Sequence, residues 1–405
     1  MVKIRLGAMM FVQYIIWGAW YVTLTNYLTS TLGFTGTQAG AVFGTTALAS
    51  LLAPFFVGLV ADRFFATERV MATLYALGAV LLVAVTQVSS FPAVYAVMLA
   101  FCLCYFPTIG LTNAVTMRQV ADPGRDFPVI RMLGTIGWVV ITATVGFLGV
   151  QRTTTPFLFG AAASVVMCVF SLVALPHMPP PARGQKVTVG SVLGLDALAM
   201  MKDRSYLVFV IASFLACIPL TFYYSFTNLY LDQAGLVNAT GKMSLGQMSE
   251  IAMMLAMPLV FRIWSVRMIL LLGLGSWALR YVLLAYGDAG GSVWMFYLAI
   301  ILHGVCFDFF FVTGQLYTDQ EAPAHLRSTA QGFITVVTYG FGMLVGSFLS
   351  GYALDYFSTT TGTTVARNWP SFWLSSAAMS AAIGLLVLLF FRSRAMIRAR
   401  ETASA

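Results

Sequence analysis

Five ionisable side chains lie inside otherwise apolar stretches of the sequence. They are Arg131, Glu250, Arg280, His303 and Asp308. A charged group at bilayer depth costs a few kcal/mol or more, so such groups are usually paired, exposed to a water-filled cavity or required for function. Together these side chains offer hydrogen-bond donors, acceptors and exchangeable protons within an apolar setting. Their spacing on predicted helices indicates which of them act together.

The first group lies where a polar loop becomes a long apolar segment, between residues 126 and 138. Arg131, Thr135 and Trp138 are four and three residues apart, so a helix presents a guanidinium, a hydroxyl and an indole on one face. Such a face can hold a flat polar molecule. Alternatively, Arg131 lies near enough to the helix end to extend its guanidinium to the cytoplasmic interface.

A second group of polar side chains falls on two predicted helices in the second half of the chain. Gln247 and Glu250 share a face, and an amide beside a carboxylate suits a hydroxyl-rich ligand. The alternative is that Glu250 serves only as a polar cap near the outer mouth. Thr221, Tyr224 and Asn228 recur at spacings of three and four residues, which adds further donors on one face.

The third group lies on one predicted helix further along the chain. His303 and Phe307 are one turn apart, so we expect both to line a cavity, although His303 could instead make a satisfied helix–helix contact. Asp308 points away from them into an aromatic setting, where a carboxylate is costly to ionise, and this makes it a candidate proton carrier. The competing interpretation is a structural salt bridge from Asp308 to Arg280, for which we favour a structural role.

The composition identifies an integral membrane protein. Of 405 residues, 60% are hydrophobic and 9% are charged, which is not a soluble composition. The net charge of +8 comes from single or paired basic residues between apolar runs, so it predicts no nucleic-acid surface. The five cysteines all fall in apolar runs and lack metal-ligand spacing. With no phosphate loop or nucleophile motif in the sequence, we expect no enzyme activity and no cofactor.

Apolar runs separated by polar breaks predict twelve membrane-spanning helices, each near the roughly 20 residues needed to cross about 30 Å of hydrocarbon. The predicted spans are 6–29, 37–60, 70–89, 92–115, 129–150, 156–175, 206–231, 243–263, 266–286, 292–316, 328–354 and 370–391. A long polar connection separates the sixth span from the seventh and contains an amphipathic piece at 192–201.

The distribution of basic residues predicts the orientation of the chain. With the amino terminus inside, only Arg152, Lys242 and Arg367 face out, Arg131 and Arg280 lie within spans, and the remaining 17 of the 22 Lys and Arg are cytoplasmic. This bias places both termini in the cytoplasm.

Six spans, a long basic connection and six more spans form the layout of a two-halved transporter. The predicted organisation is an amino-terminal six-helix half at 1–175, a cytoplasmic connecting loop at 176–204, a carboxy-terminal six-helix half at 205–391 and a cytoplasmic tail at 392–405.

A loop motif connects this layout to a known superfamily. The loop after the second span reads Gly58-Leu-Val-Ala-Asp62-Arg63 and resembles the Gly-x-x-x-Asp-Arg loop of the major facilitator superfamily. The loop after the eighth span reads Pro258-Leu-Val-Phe-Arg262, with Arg267 following, and is a weak internal echo of this motif. The motif and the twelve spans together imply an all-α membrane protein with the major facilitator fold.

Several stretches, in order along the chain, resemble the nucleoside:proton symporter family of that superfamily. They are 17–20, 126–137, 193–197, 279–288, 306–310 and 328–332. The resemblance implies a central nucleoside site between the halves, formed by family positions that correspond to Arg131, Thr135, Gln247, Glu250, Phe307 and Asp308, with Trp138 as the aromatic residue after Thr135. This sequence departs from the family pattern at Thr221, Tyr224 and His303, which puts the range of substrates in question.

The resemblance implies a proton-coupled nucleoside importer that works by alternating access in the bacterial cytoplasmic membrane. We expect its partners to be a nucleoside, protons and the lipid bilayer, and we expect a monomer. Glu250 or Asp308 would carry the coupling proton, since no third carboxylate lies within the predicted spans. The alternatives are a symporter or facilitator for another hydroxyl-rich solute such as a sugar, and a transporter-like protein that senses a ligand without moving it.

Overall fold

The computed structural model describes residues 2–56, 65–179, 194–361 and 364–392. Eleven helices in these ranges are long and apolar enough to cross a membrane, and Gly36–Phe56 is a further helix of 21 residues. In chain order the helices are α1 Val2–Thr31, α2 Gly36–Phe56, α3 Thr67–Val85, α4 Phe91–Gln119, α5 Pro123–Leu148, α6 Thr155–Val173, α7 Arg204–Gln233, α8 Ala239–Ile263, α9 Val266–Tyr286, α10 Val293–Glu321, α11 Arg327–Tyr356 and α12 Trp369–Phe390. The prediction of an all-α membrane protein is confirmed.

Three of these helices contain a wider, π-helical segment. The segments are Tyr27–Thr31 at the end of α1, Asp308–Val312 in α10 and Val336–Gly342 in α11. A π-helical segment changes the direction in which the following side chains point, and such segments are frequent at functional sites. In α10 the segment begins at Asp308, one of the candidate proton carriers.

Several helices begin earlier than predicted because an apolar run marks the hydrocarbon and not the end of the helix. Helix α5 begins at Pro123 instead of 129, and Asp122 caps it by accepting a hydrogen bond of 3.2 Å from the Arg125 backbone N–H. Helix α3 begins at Thr67 instead of 70, so its first turn includes a further carboxylate, Glu68, which the predicted spans excluded.

Glu68 connects α3 to the chain that follows α6. Its carboxylate is 2.8 Å from Nδ1 of His177 and accepts a hydrogen bond of 3.0 Å from the backbone N–H of Met178. The backbone N–H of Thr67 donates in turn to the Met178 carbonyl at 3.0 Å. These bonds fix the start of the polar connection to the first unit of the fold.

A short antiparallel hairpin was not predicted. Strands β1 Ser358–Thr361 and β2 Thr364–Arg367 pair between α11 and α12. The segment is rich in threonine, which favours strands, but its polar residues give no apolar alternation from which a strand could be recognised.

The chain divides into two compact units, Met1–Val187 with Val237–Ser244, and Thr188–Leu236 with Leu245–Ala405. In the first unit α1 packs on α5 and α6, while α3 packs on α4 and α6. In the second unit α7 packs on α11 and α12, while α9 packs on α10 and α12. Helices α7 and α9 therefore repeat the contacts of α1 and α3, the helices six places earlier, as expected for the internal repeat of two-halved transporters.

Part of the predicted connection packs on the second unit. Its described portion contains a 3₁₀ helix, Leu195–Lys202, which packs on α7 and α11. Gly194 precedes it with a φ of +66°, and a Cβ there would lie 2.6 Å from the carbonyl oxygen of Thr329, so only glycine fits. The Gly58 to Arg63 motif and residues 192–193 of the amphipathic piece lie outside the described residues.

Candidate functional site

Arg131 lies against the first helix of its own unit. Its guanidinium carbon is 4.0 Å from the centre of the Tyr14 ring, and Tyr14 is buried on α1. A Cβ at Gly134 would lie 2.6 Å from that ring, and one at Gly137 would collide with the carbonyl oxygen of Phe11. Glycines thus let α5 approach α1 closely enough to place the cation over the aromatic face.

Trp138, one turn after Gly134, packs edge-on against two aromatic residues of α1. Its ring centre is 5.4 Å from that of Trp17 and 5.7 Å from that of Tyr21. Tyr14, Trp17 and Tyr21 form an aromatic face on α1, and the spacing of three and four residues could have indicated it from the sequence. Both Thr135 and Trp138 are half-buried on α5 beside this face.

A buried amide that sequence reasoning did not select fixes α1 to its neighbours. Gln13 donates from Nε2 to Oγ1 of Thr108 at 2.9 Å and accepts from the hydroxyl of Tyr75. The Tyr105 hydroxyl donates to the Gln13 carbonyl at 2.7 Å. Because α3 and α4 supply these partners, the polar groups of Gln13 are hydrogen-bonded inside the unit. These bonds fix the position of α1, the helix that carries the aromatic face.

In the second unit, His303 lies at the centre of a cluster of predicted site residues. Its Nδ1 is 3.2 Å from Nη1 of Arg280, and its Nε2 is 3.8 Å from Oε2 of Glu250. The ring stacks on Tyr223 with centres 5.5 Å apart and meets Tyr224 edge-on at 5.8 Å. The imidazole is buried, whereas the Glu250 side chain retains 28% of its exposure.

A close crossing of α8 and α10 brings Glu250 to His303. A Cβ at Gly304 would collide with the carbonyl oxygen of Ser249, and one at Gly246 would lie 3.2 Å from the Cβ of His303. The backbone N–H of Gly304 also donates to Oγ of Ser249 at 2.9 Å. Small residues on both helices therefore set the distance between the carboxylate and the imidazole.

Arg280 occupies the inner side of this cluster and is fully buried. Its guanidinium carbon lies 3.1 Å from the centre of the Tyr223 ring. The structural role predicted for Arg280 stays a prediction, but the alternative of a salt bridge to Asp308 is wrong for this structure. Both carboxylate oxygens of Asp308 lack a hydrogen-bond partner among the described residues, because Arg280 is directed at His303 and Tyr223 instead.

The remaining predicted residues divide by location. Phe307 is half-buried, with its ring 5.9 Å from His303. Gln247 is half-buried on α8, one turn before Glu250. Thr221 is fully buried, donates to the Cys217 carbonyl at 2.7 Å and lies against Gly346 of α11, so the structure does not bring it to the cluster at His303. Its binding role stays a prediction.

The described residues form twelve long helices in two units, with ionisable groups held on aromatic faces, and this arrangement defines a secondary transporter of the major facilitator type. Among the described residues no cluster of His, Cys, Asp and Glu could hold a metal ion.

Comparison with known proteins identifies the family within this class. Residues 1–396 match the family described as Nucleoside H+ symporter. The chain is 41% identical over 401 residues to the putative nucleoside transporter YegT of Escherichia coli K12, covering 96% of this chain and 93% of that protein. It is 30% identical over 406 residues to the nucleoside permease NupG of the same organism, covering 96% of each. The crystal structure of nucleoside transporter NupG matches with a TM-score of 0.88 at 30% identity, covering 97% of this chain and 99% of that one.

The chain therefore belongs to the nucleoside:H+ symporter family, as the resemblance of its motifs implied. It is a multi-pass membrane transporter and not an enzyme.

Proposed function

We propose that the chain is a proton-driven nucleoside importer that works by alternating access and binds its substrate in a central cavity. The observation that carries this proposal is the family match over residues 1–396, a range that includes every predicted site residue. We further propose that it acts as a monomer in the bacterial cytoplasmic membrane, with both termini in the cytoplasm.

The chemistry of a nucleoside fits the predicted residues. The flat base can stack on Trp138 or Phe307, and acceptor atoms on the base edge suit the donors of Arg131. The ribose hydroxyls can bond to Gln247 and Glu250, whose amide and carboxylate are both half-exposed groups of α8. Base stacking and hydroxyl recognition together favour a nucleoside over a plain sugar.

Two carboxylates are candidates for the coupling proton. Asp308 is fully buried and its two carboxylate oxygens have no hydrogen-bond partner in the described part of the chain, which leaves a proton as the simplest way to neutralise the carboxylate. Glu250 is partly exposed and lies beside His303, so its proton could respond to substrate binding. We propose Asp308 as the coupling carboxylate and Glu250 as a substrate ligand that also influences coupling.

The test is uptake of labelled uridine and guanosine into proteoliposomes that contain the purified protein. We expect accumulation when an inward proton gradient is imposed, and loss of accumulation when a protonophore collapses it. Uptake that is the same with and without the proton gradient would contradict symport and indicate a facilitator. Competition by unlabelled nucleosides but not by sugars is expected, and counterflow without a gradient separates a transporter from a protein that only binds its ligand.

A further inference from the structure

The two ring nitrogens of His303 face groups of opposite charge. Nδ1 lies 3.2 Å from Nη1 of Arg280, and Nε2 lies 3.8 Å from Oε2 of Glu250. Nε2 has no hydrogen-bond partner within the described ranges. The imidazole therefore lies between the Arg280 guanidinium, which is within hydrogen-bond distance, and the Glu250 carboxylate, which is just beyond it.

The contact with Arg280 determines which nitrogen carries the ring hydrogen. A guanidinium has only donors, so Arg280 must supply the hydrogen of the 3.2 Å contact and Nδ1 of His303 must supply the lone pair. A ring that uses the lone pair of Nδ1 in this way is neutral and bears its hydrogen on Nε2. That N–H is directed to the side where Glu250 lies.

Arg280 is itself prevented from moving away. It is fully buried, its guanidinium lies 3.1 Å from the centre of the Tyr223 ring, and Tyr223 also stacks on His303. The titratable groups that face the imidazole from neighbouring helices are Tyr223 and Tyr224 of α7, Glu250 of α8 and Arg280 of α9. Of these described groups, Arg280 is the one that lies within hydrogen-bond distance of Nδ1, so the position of its side chain decides the state of the ring.

We propose that Arg280 is a positioning residue that holds His303 as the Nε2–H tautomer, so that His303 presents a hydrogen-bond donor to Glu250 or to an acceptor atom of the substrate. The statement about the substrate rests on the proposed nucleoside function, whereas the statement about the tautomer does not. In this arrangement His303 donates a hydrogen bond but takes up no second proton during transport, which leaves proton coupling to the carboxylates.

The tautomer can be measured directly, without transport, by solid-state NMR of the full-length protein in lipid with ¹⁵N-labelled histidine. The chain has three histidines, and the His303 signal is assigned by its loss in His303→Gln. We expect a neutral ring with a bare Nδ1 and a protonated Nε2 from about pH 5.5 to about pH 8, a range that brackets the usual titration of histidine. A doubly protonated ring, or a hydrogen on Nδ1, in the unmodified protein would overturn the proposal even if transport is normal.

Variants of Arg280 separate positioning from a general structural role. Arg280→Lys keeps a charged donor and is expected to preserve the tautomer, whereas Arg280→Met removes the donor and frees Nδ1 to bind a second proton. For Arg280→Met we expect a roughly tenfold rise in the KM for uridine. We also expect a new inflection when uptake is plotted against pH, in the pH range where histidine usually titrates. The double variant Arg280→Met/His303→Gln should lack that inflection. If the His303 ring keeps the same tautomer and protonation in Arg280→Met, the proposal is contradicted. If this variant does not fold, the NMR spectra of the unmodified protein and of Arg280→Lys still test whether His303 is the Nε2–H tautomer.

Discussion

One half-buried and one fully buried arginine of this protein lie on aromatic faces and make no described contact with a carboxylate. Arg131 lies over Tyr14, and Arg280 lies over Tyr223. A cation over a desolvated ring gains about 2 kcal/mol or more without burying a second charge, so its polar atoms remain available to other partners. A salt bridge would have occupied those donors. At residue scale, this choice of partner keeps Arg131 available for a ligand.

The Tyr14 ring can be tested with a matched pair of substitutions. Tyr14→Phe keeps the aromatic face beneath Arg131, so uridine uptake should stay close to that of the unmodified protein. Tyr14→Leu removes the cation–π contact, about 0.5–2 kcal/mol, and should raise the KM for uridine roughly two- to thirtyfold. Arg131→Ala should abolish uptake while leaving the protein folded. Equal uptake by the Phe and Leu variants would show that the ring has no role in placing the cation.

The two carboxylates should respond differently to neutral substitutes. Asp308→Asn imitates a protonated carboxyl that never releases its proton, so we expect counterflow of uridine to continue while gradient-driven accumulation is lost. Glu250→Gln removes the negative charge beside His303 and replaces one of the two acceptor oxygens with an NH2 donor, so we expect both activities to fall at least tenfold. Counterflow and accumulation are measured on the same proteoliposomes. Gradient-driven accumulation by Asp308→Asn would transfer the coupling role to Glu250.

Helical spacing was enough to group some residues but not others. Arg131, Thr135 and Trp138 could be placed on one face because the face depends only on the geometry of a single helix. The contact of Arg280 with His303 joins two helices, and no spacing within either helix predicts which neighbour a long side chain reaches. For the same reason Thr221 shared a predicted face with Tyr224 but lies against Gly346 of α11.

At the scale of elements, glycines decide how closely the helices that carry the site residues approach each other. Gly134 and Gly137 allow α5 to lie against α1, and Gly246 and Gly304 allow α8 to cross α10. Between helices in a membrane, close packing supplies much of the association energy because lipid offers no hydrophobic driving force. The crossings therefore set both the stability of each unit and the distances at the candidate site.

A methyl group added at one of these helix crossings should affect both the stability of the unit and the distances at the candidate site. Gly304→Ala places a Cβ against the Ser249 carbonyl, so we expect a loss of about 1–3 kcal/mol in stability and weaker uptake as Glu250 and His303 move apart. Gly275→Ala in α9 is the control, since nothing lies within 4 Å of its Cβ position, and it should be neutral or stabilising by up to about 1 kcal/mol. Thermal unfolding in detergent measures the difference. Two variants of equal stability would disprove the packing argument.

The helices were predictable as elements, but their ends were not. Long apolar runs identify a membrane helix wherever it crosses hydrocarbon, whatever its contacts. The ends depend on polar groups instead: Asp122 caps α5, and Glu68 in the first turn of α3 bonds to Met178, more than a hundred residues away. Neither bond changes the hydropathy of the sequence, so neither end could be read from it.

At the scale of the whole molecule, the two units repeat the same helix packing but not the same chemistry. The cation of the first unit is on α5 and that of the second is on α9, so the repeat does not relate them. The fully buried carboxylate Asp308 belongs to the second unit. The two units share a helix packing, but their arginines on aromatic faces and the carboxylate of Asp308 lie at positions that the repeat does not relate. This predicts that proton coupling is altered more by substitutions in the second unit.

The basic residues predict the orientation of the chain, and this prediction can be tested by labelling. Arg118 at the end of α4 and Arg152 between α5 and α6 are both exposed, and the charge bias places Arg118 inside and Arg152 outside. In a background from which the five native cysteines are removed, Arg152→Cys in intact cells should react with a membrane-impermeant maleimide. Arg118→Cys should react only after the membrane is opened. The reverse pattern would place both termini outside and would contradict the orientation that the basic residues predict.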